Sequence, residues 1–306
     1  MDAGPPPGDN VGTPGNAKNV ITVGANEAPR GCGSQGTDLD EMANFSSRGP
    51  VDPDGTGQGL FKPDVTNIGT FVLSTESPGT GGGSWDTPTL CSDSGPNYAY
   101  NGGTSMSTPM TAGLGGVVLQ DLLTRLGVSQ PKPSLVKALL INGAVSLHPG
   151  SCSYSFAVNQ TSIAQGWGMV NALNSMYGPG GTPGSHNIGF ENEQNAVGTG
   201  GQYSRQVTIA AGTPLKITLV WTDYPASPGT SSPLVVNDLD LEVSGPGGTY
   251  LGNNFVSDWS VTGGVSDRYN VAENVYLQSP VVGTYTITVR GFQVSQDRAP
   301  SVSGTN

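Results

Sequence analysis

Apolar and polar positions change their spacing once along this chain, near residue 200. In residues 113–126, GLGGVVLQDLLTRL, leucines and valines recur at helical intervals and Gly127 follows as a C-cap, which predicts a helix over about 106–126. A second helix is expected from Pro133-Ser134, with proline near its first position, through LVKALLINGA, and a short third one in VNALNSM. Residues 19–25, NVITVGA, predict a buried strand. Beyond residue 201 the period is two: Leu215 to Trp221, then Leu239, Leu241 and Val243, then Tyr285, Ile287 and Val289 alternate with polar residues. Short strands between Gly, Pro and Asn turns predict an all-β sandwich there.

Glycines 113, 115 and 116 would weaken an exposed helix, each by about 1 kcal/mol relative to alanine, so close packing against a neighbouring backbone is expected. Residues 178–201 are dense in glycine and lack periodicity, which predicts a linker or crossing segment. The chain therefore divides into 1–177, 178–201 and 202–306.

Composition narrows the function. The 306 residues hold 47 Gly and 24 Pro, close to a quarter of the chain, yet apolar blocks persist, so a loop-rich globular protein is expected over disorder. A net charge of −11 with only 12 Lys and Arg leaves no basic stripe for phosphates, so nucleic acid is not an expected partner. No apolar run approaches the roughly 20 residues that span a bilayer, and no export signal opens the chain. Cys32, Cys91 and Cys152 fit either one disulfide with a spare thiol or three free thiols; their spacing does not suit a thiolate metal site. Asn44 and Asn159 match the glycosylation pattern, a match too short to carry weight.

The stretch NGGTSMSTPM, residues 101–110, crowds small residues around Ser105 just before the long apolar helix. A serine at a helix N-terminus has unpaired N–H groups and the positive dipole end beside it, which is what a developing oxyanion needs. Flanking glycines let a substrate backbone approach, and Pro109 costs least near the first turn. The plainer reading is that Thr104 or Ser105 only caps a helix.

These residues resemble the serine motif of the subtilisin-like serine proteases, Gly-Thr-Ser-Met-Ala-Thr-Pro, with Ser107 in place of alanine. Four further blocks agree in order: Pro14-Gly-Asn-Ala-Lys-Asn-Val-Ile-Thr-Val-Gly-Ala25, Phe45-Ser-Ser-Arg-Gly-Pro50, Lys62-Pro-Asp-Val65 and Gln165-Gly-Trp-Gly168. PLKITLVWTDYPASP, VNDLDLEV, ENVYL and GTYTITVRGF resemble the β-sandwich that follows the catalytic domain in one alkaline-protease branch.

The resemblance implies an α/β fold, a partial doubly wound parallel sheet followed by a jelly-roll-like sandwich. It implies a secreted, monomeric endopeptidase acting on proteins or peptides, with Ser105 as nucleophile and Gly103 and Thr104 against substrate. Met106 resembles the family's oxidation-prone methionine; its other reading is packing under the serine. Calcium is implied for the sandwich, with Asp238 and Asp240 as candidate ligands; Asn253, Asn254, Asp258, Asp267 and Glu273 are read as turn residues.

Departures from the pattern matter as much. In the subtilisin order of Asp, His and Ser, both other triad members precede the serine. This chain's two histidines, His148 and His186, both follow Ser105, and neither is expected to be the base. The catalytic aspartate and histidine are therefore expected upstream of Met1, and the isolated chain is expected to be inactive. Pro5 stands where the family has an oxyanion-donating asparagine, with Asn10 nearby, and Thr66-Asn-Ile-Gly69 replaces Val-Ala-Pro-Gly. Residues 291–306 stop short of a closing strand, so an unpaired sheet edge is expected. The competing reading is a non-catalytic remnant, or a module that binds calcium, protein or glycan without chemistry.

Overall fold

The structure is a computed structural model that describes residues 10–28, 40–52, 59–77, 97–147, 163–192, 197–210, 214–230 and 233–296. Helices α1 (Thr104–Thr124), α2 (Pro133–Gly143) and α3 (Ala172–Tyr177) precede residue 178, and seven of the eleven strands follow residue 201. The change of period near residue 200 is thus a change of layer type.

Strands β1 (Val23–Asn26) and β2 (Val65–Ile68) pair in parallel, and Met169 bridges to both Thr66 and Val145. β1 is shorter than the apolar pattern predicts because side chains take up the backbone ahead of it. Thr22 N–H donates to Asp64 Oδ2, and the Val20 carbonyl accepts from Lys62 Nζ and Lys137 Nζ. Side-chain partners thus replace the ladder over the first predicted residues. Helix α1 packs over both strands and α2. A hairpin of β3 (Val72–Thr75) and β4 (Tyr98–Asn101) leads from the end of β2 into α1.

Two sheets form the C-terminal portion. Five antiparallel strands run in the order β5 (Gln202–Ile209), β11 (Gly283–Val294), β7 (Asn237–Gly245), β8 (Gly248–Val256) and β9 (Trp259–Thr262). The other sheet is β10 (Ala272–Leu277) paired with β6 (Leu215–Val220). Leu241, Val243, Val275, Leu277 and Tyr285 pack together, with Leu215, Ile217 and Leu219 against them. The period of two places these side chains on facing sides of the two sheets.

One apolar cluster joins the helical and β portions. Val23, Val65, Ile141, Ala144, Trp167 and Val170 from the first pack with Phe255, Ala272 and Tyr276 from the second. Trp167 lies 5.8 Å from both the Phe255 and Tyr276 rings, tilted against one and edge-on to the other. Buried Lys18 adds an ion pair to buried Asp223 at 2.6 Å. Residues 178–192 run over α2, where Ile188 and Phe190 pack against a second cluster that includes Leu135 and Leu139.

The expected close packing of the α1 glycines is not found. A methyl group added at Gly113 or Gly116 would meet nothing within 4 Å among the described residues, and one at Gly115 would meet only Leu140 and Val136 at 3.9 Å. These glycines lie on a face that also leaves Val117, Leu119 and Leu123 exposed.

Candidate active site

The site is built at the carboxyl end of β2. Gly69 follows that strand, and its carbonyl accepts from Gly103 N–H at 2.7 Å, which pins the serine loop to the sheet. A methyl group at Gly69 would come within 2.4 Å of Ala25 Cβ and 3.1 Å of the Gly103 carbonyl, so only glycine lets the three segments meet. Asn67 makes a second tie, donating from Nδ2 to Thr111 Oγ1 on α1 while its Oδ1 accepts from Ile68 N–H. The TNIG segment therefore secures the helix through Gly69, which matches the family pattern, and through Asn67, which departs from it.

Gly103 is the N-cap of α1 at φ 141°, a conformation that side chains resist. Thr104 and Ser105 are the first two helical residues, and Met106 N–H already bonds back to the Gly103 carbonyl at 3.0 Å. The Ser105 N–H and Oγ have no partner among the described residues, and Ser105 is exposed. An open hydroxyl thus sits beside a free N–H at the positive end of a 21-residue helix. Ser107, two residues on, is fully buried and donates to the Thr104 carbonyl, so the two serines of the motif do different work.

Pro109 is the sixth residue of α1, one turn deeper than the motif alone suggests. Its missing N–H is the one that would have bonded the Ser105 carbonyl. Met106 is half-buried, its sulfur 3.9 Å from a methyl position at Gly103.

No base accompanies the serine among the described residues. His186 contacts Arg125 and stacks on Tyr177 at 5.5 Å. Arg125 caps the far end of α1, twenty residues from Ser105, and at 1.5 Å per residue that separation is about 30 Å. His148, Cys32, Cys91, Cys152 and residues 1–9, including Pro5, lie outside the described residues. Asn10 Oδ1 accepts from Arg48 N–H at 2.6 Å, which commits that oxygen to the Phe45–Pro50 block.

Asp238 and Asp240 share one face of β7, as the alternation predicts, and both point at Arg268. Asp267 supports Tyr269 and Asn253, and Asn254 caps the carbonyls of Val261 and Gly263. Glu273 is buried beneath them, Oε2 accepting from Leu241 N–H and Oε1 unpartnered among the described residues. Burial first, and the neighbouring carboxylates of Asp267, Asp240 and Asp238, raise the Glu273 carboxyl well above its ordinary range. Among the described residues, no three His, Cys, Asp or Glu side chains form a group able to hold a metal ion. As arranged, the two aspartates serve a guanidinium, and no calcium-dependent step is assigned to them.

Comparison with known proteins agrees with the motif assignment. The chain is 36% identical over 141 residues to the serine protease AprX of Bacillus subtilis, covering 45% of this chain and 27% of that protein. It is 39% identical over 112 residues to the uncharacterized protein aq_aa18 of Aquifex aeolicus, covering 36% of this chain and 46% of that one. It is 25% identical over 268 residues to the serine protease/ABC transporter B family protein tagA of Dictyostelium discoideum, which covers 82% of this chain and 14% of the relative. The chain thus spans less than half the length of each of these relatives. The profile of the subtilase family matches residues 3–180, more than half of the sequence, and on that match, with Ser105 exposed at the head of α1, the chain belongs to the subtilase family.

Proposed function

We propose that this chain carries the nucleophile of a secreted serine endopeptidase, with Ser105 attacking the peptide carbonyl and Gly103 and Thr104 lying against the substrate backbone. The observation that supports this is the exposed Ser105 hydroxyl beside its own N–H at the start of α1, both without a partner among the described residues. In the proposed reaction, Oγ bonds to the carbonyl carbon as its proton passes to a base, and the carbonyl oxygen takes up the negative charge. The Ser105 N–H donates to that oxygen; collapse of the intermediate expels the amine, which takes the proton, and leaves an acyl-serine.

The base is the missing part. With His186 about 30 Å away along α1, the proton must go to a group that the described residues do not supply. The isolated 306-residue chain is accordingly proposed to be inactive, its serine becoming a nucleophile only where an aspartate and a histidine are provided in addition. Incubating the purified chain with a chromogenic peptide tests this. No release above that of Ser105→Ala is expected, and release abolished by that substitution would overturn the proposal.

The C-terminal sheets are proposed to be a jelly-roll-like sandwich that stabilises the helical portion, because Trp167 packs directly onto Phe255 and Tyr276. Calcium at Asp238 and Asp240 remains a proposal from the family resemblance, and it requires Arg268 to give way. The distance to His186 also favours a second reading, a protein without catalysis in which this portion only binds.

A further inference from the structure

The two C-terminal sheets differ in width: five strands face two. Among the described residues β6 pairs with β10 alone, and all six of its residues stay half-buried while all six of β10 are buried. Trp221 N–H extends the ladder to the Val271 carbonyl at 3.2 Å, which fixes the parity. Residues 215, 217 and 219 exchange bonds with β10, and residues 216, 218 and 220 turn their N–H and C=O groups away from it. The Lys216 carbonyl shows where they point, because Asn142 Nδ2 of α2 donates to it at 3.2 Å.

Along this outer edge lies a cavity of about 1300 Å³. One wall is the inner face of the large sheet, where Val207, Ile287 and Val289 are half-buried and no strand among the described residues lies across from them. The other wall is α2, with Leu135 and Ala138. In a two-sheet stack, rise, strand spacing and sheet spacing give each strand residue about 160 Å³, so this space is large enough for a strand several residues long.

We propose that the cavity is a binding site for an extended polypeptide strand with apolar residues at alternate positions, which adds to the outer edge of β6 as the small sheet's third strand. Its backbone would meet the outward groups of Lys216, Thr218 and Val220, and its alternate side chains would meet the two apolar walls. The Asn142 amide already stands in for one peptide donor at this edge. An acyl chain would satisfy the walls but leave the Thr218 and Val220 backbone groups unpaired in an apolar space, which disfavours lipid as the occupant.

Three of the four tryptophans, Trp167, Trp221 and Trp259, line the cavity, so intrinsic fluorescence reports its filling. The probe is a capped peptide of alternating valine and threonine between terminal lysines, added to the full chain carrying Ser105→Ala. Saturable binding is expected, with slowed amide exchange at Lys216, Thr218 and Val220. The same peptide N-methylated on the residues that face β6 should bind at least tenfold more weakly, the loss of about one net hydrogen bond. Val207→Lys, which places a charge on the large-sheet wall, should abolish binding; if that variant does not fold, the exchange pattern in the Ser105→Ala chain decides. No binding up to about 1 mM, equal binding of the methylated peptide, or unchanged exchange at those amides would overturn the proposal. Saturable binding of oleate without binding of the peptide would overturn it in favour of a lipid pocket.

Discussion

Replacing Asp64 by asparagine should destabilise the protein from beneath the site without altering the serine itself. Asp64 is buried between two buried lysines, with Lys62 Nζ at 2.7 Å and Lys137 Nζ at 2.8 Å, and it also accepts from Thr22 N–H at 2.8 Å. Burial alone would raise its carboxyl, but Lys137 and Lys62 hold it below the ordinary range. Burial in turn pushes Lys62 down to about 8 despite the carboxylate beside it. Asp64→Asn keeps the shape, removes the charge and strands two ammonium groups; breaking a buried pair in this way costs about 3–5 kcal/mol. Against a total stability of about 5–15 kcal/mol that is a large share, and it corresponds to a drop in Tm of roughly 6–20 °C for a domain of this size. Thermal unfolding followed by circular dichroism at pH 7 measures it.

The pH dependence checks the same cluster. The stabilisation from Asp64 is complete above the unfolded carboxyl's value and is lost as pH falls through the lower folded value, so it persists into acid. Lys62 acts at the other end: its lowered folded value means stability rises as pH climbs from about 8 towards its ordinary 10.5. Adding Lys137→Met to Asp64→Asn removes one stranded cation and should recover part of the loss. A loss below about 1 kcal/mol for Asp64→Asn would refute the reasoning.

Two further outcomes are expected. Gly103→Ala forces a side chain into φ 141° at the head of α1 and should lower stability by about 1–3 kcal/mol, read by denaturant midpoint; a neutral result would mean that the turn relaxes freely. Burial raises Asp238 to about 6 even with Arg268 beside it, so the folded state binds the proton more tightly and stability should fall, by up to about 3 kcal/mol, as pH rises from about 4 to 6. Asp238→Asn should flatten that slope, and an upward shift of Tm with added calcium in the unsubstituted chain, absent in Asp238→Asn, would show that the ion displaces Arg268.

Much of this architecture was legible because the relevant signals are local. The apolar spacing of residues 113–126, Pro133 at the start of α2 and the alternation around Leu239 to Val243 each depend on neighbours along the chain, and all three elements are present. Ser105 at the head of α1 was legible for the same reason. What escaped the sequence depends on residues far apart. The fit of Gly69 between Ala25 and Gly103 is a three-body packing fact, although a glycine directly after a strand was a visible hint. The three-charge cluster of Lys62, Asp64 and Lys137 joins segments more than 70 residues apart, and nothing in the LVKALL pattern marks Lys137 as buried. The helix glycines mislead because a glycine inside a helix marks either a close backbone approach or an open face, and two of them face open space among the described residues.

The aromatic junction around Trp167 has a consequence for how the molecule comes apart. Since its rings are drawn from both sides of residues 178–201, neither side can keep this shared cluster dry once the other leaves. A protease nick in that crossing would therefore not liberate two sturdy pieces, and melting should proceed as a single event rather than in two stages.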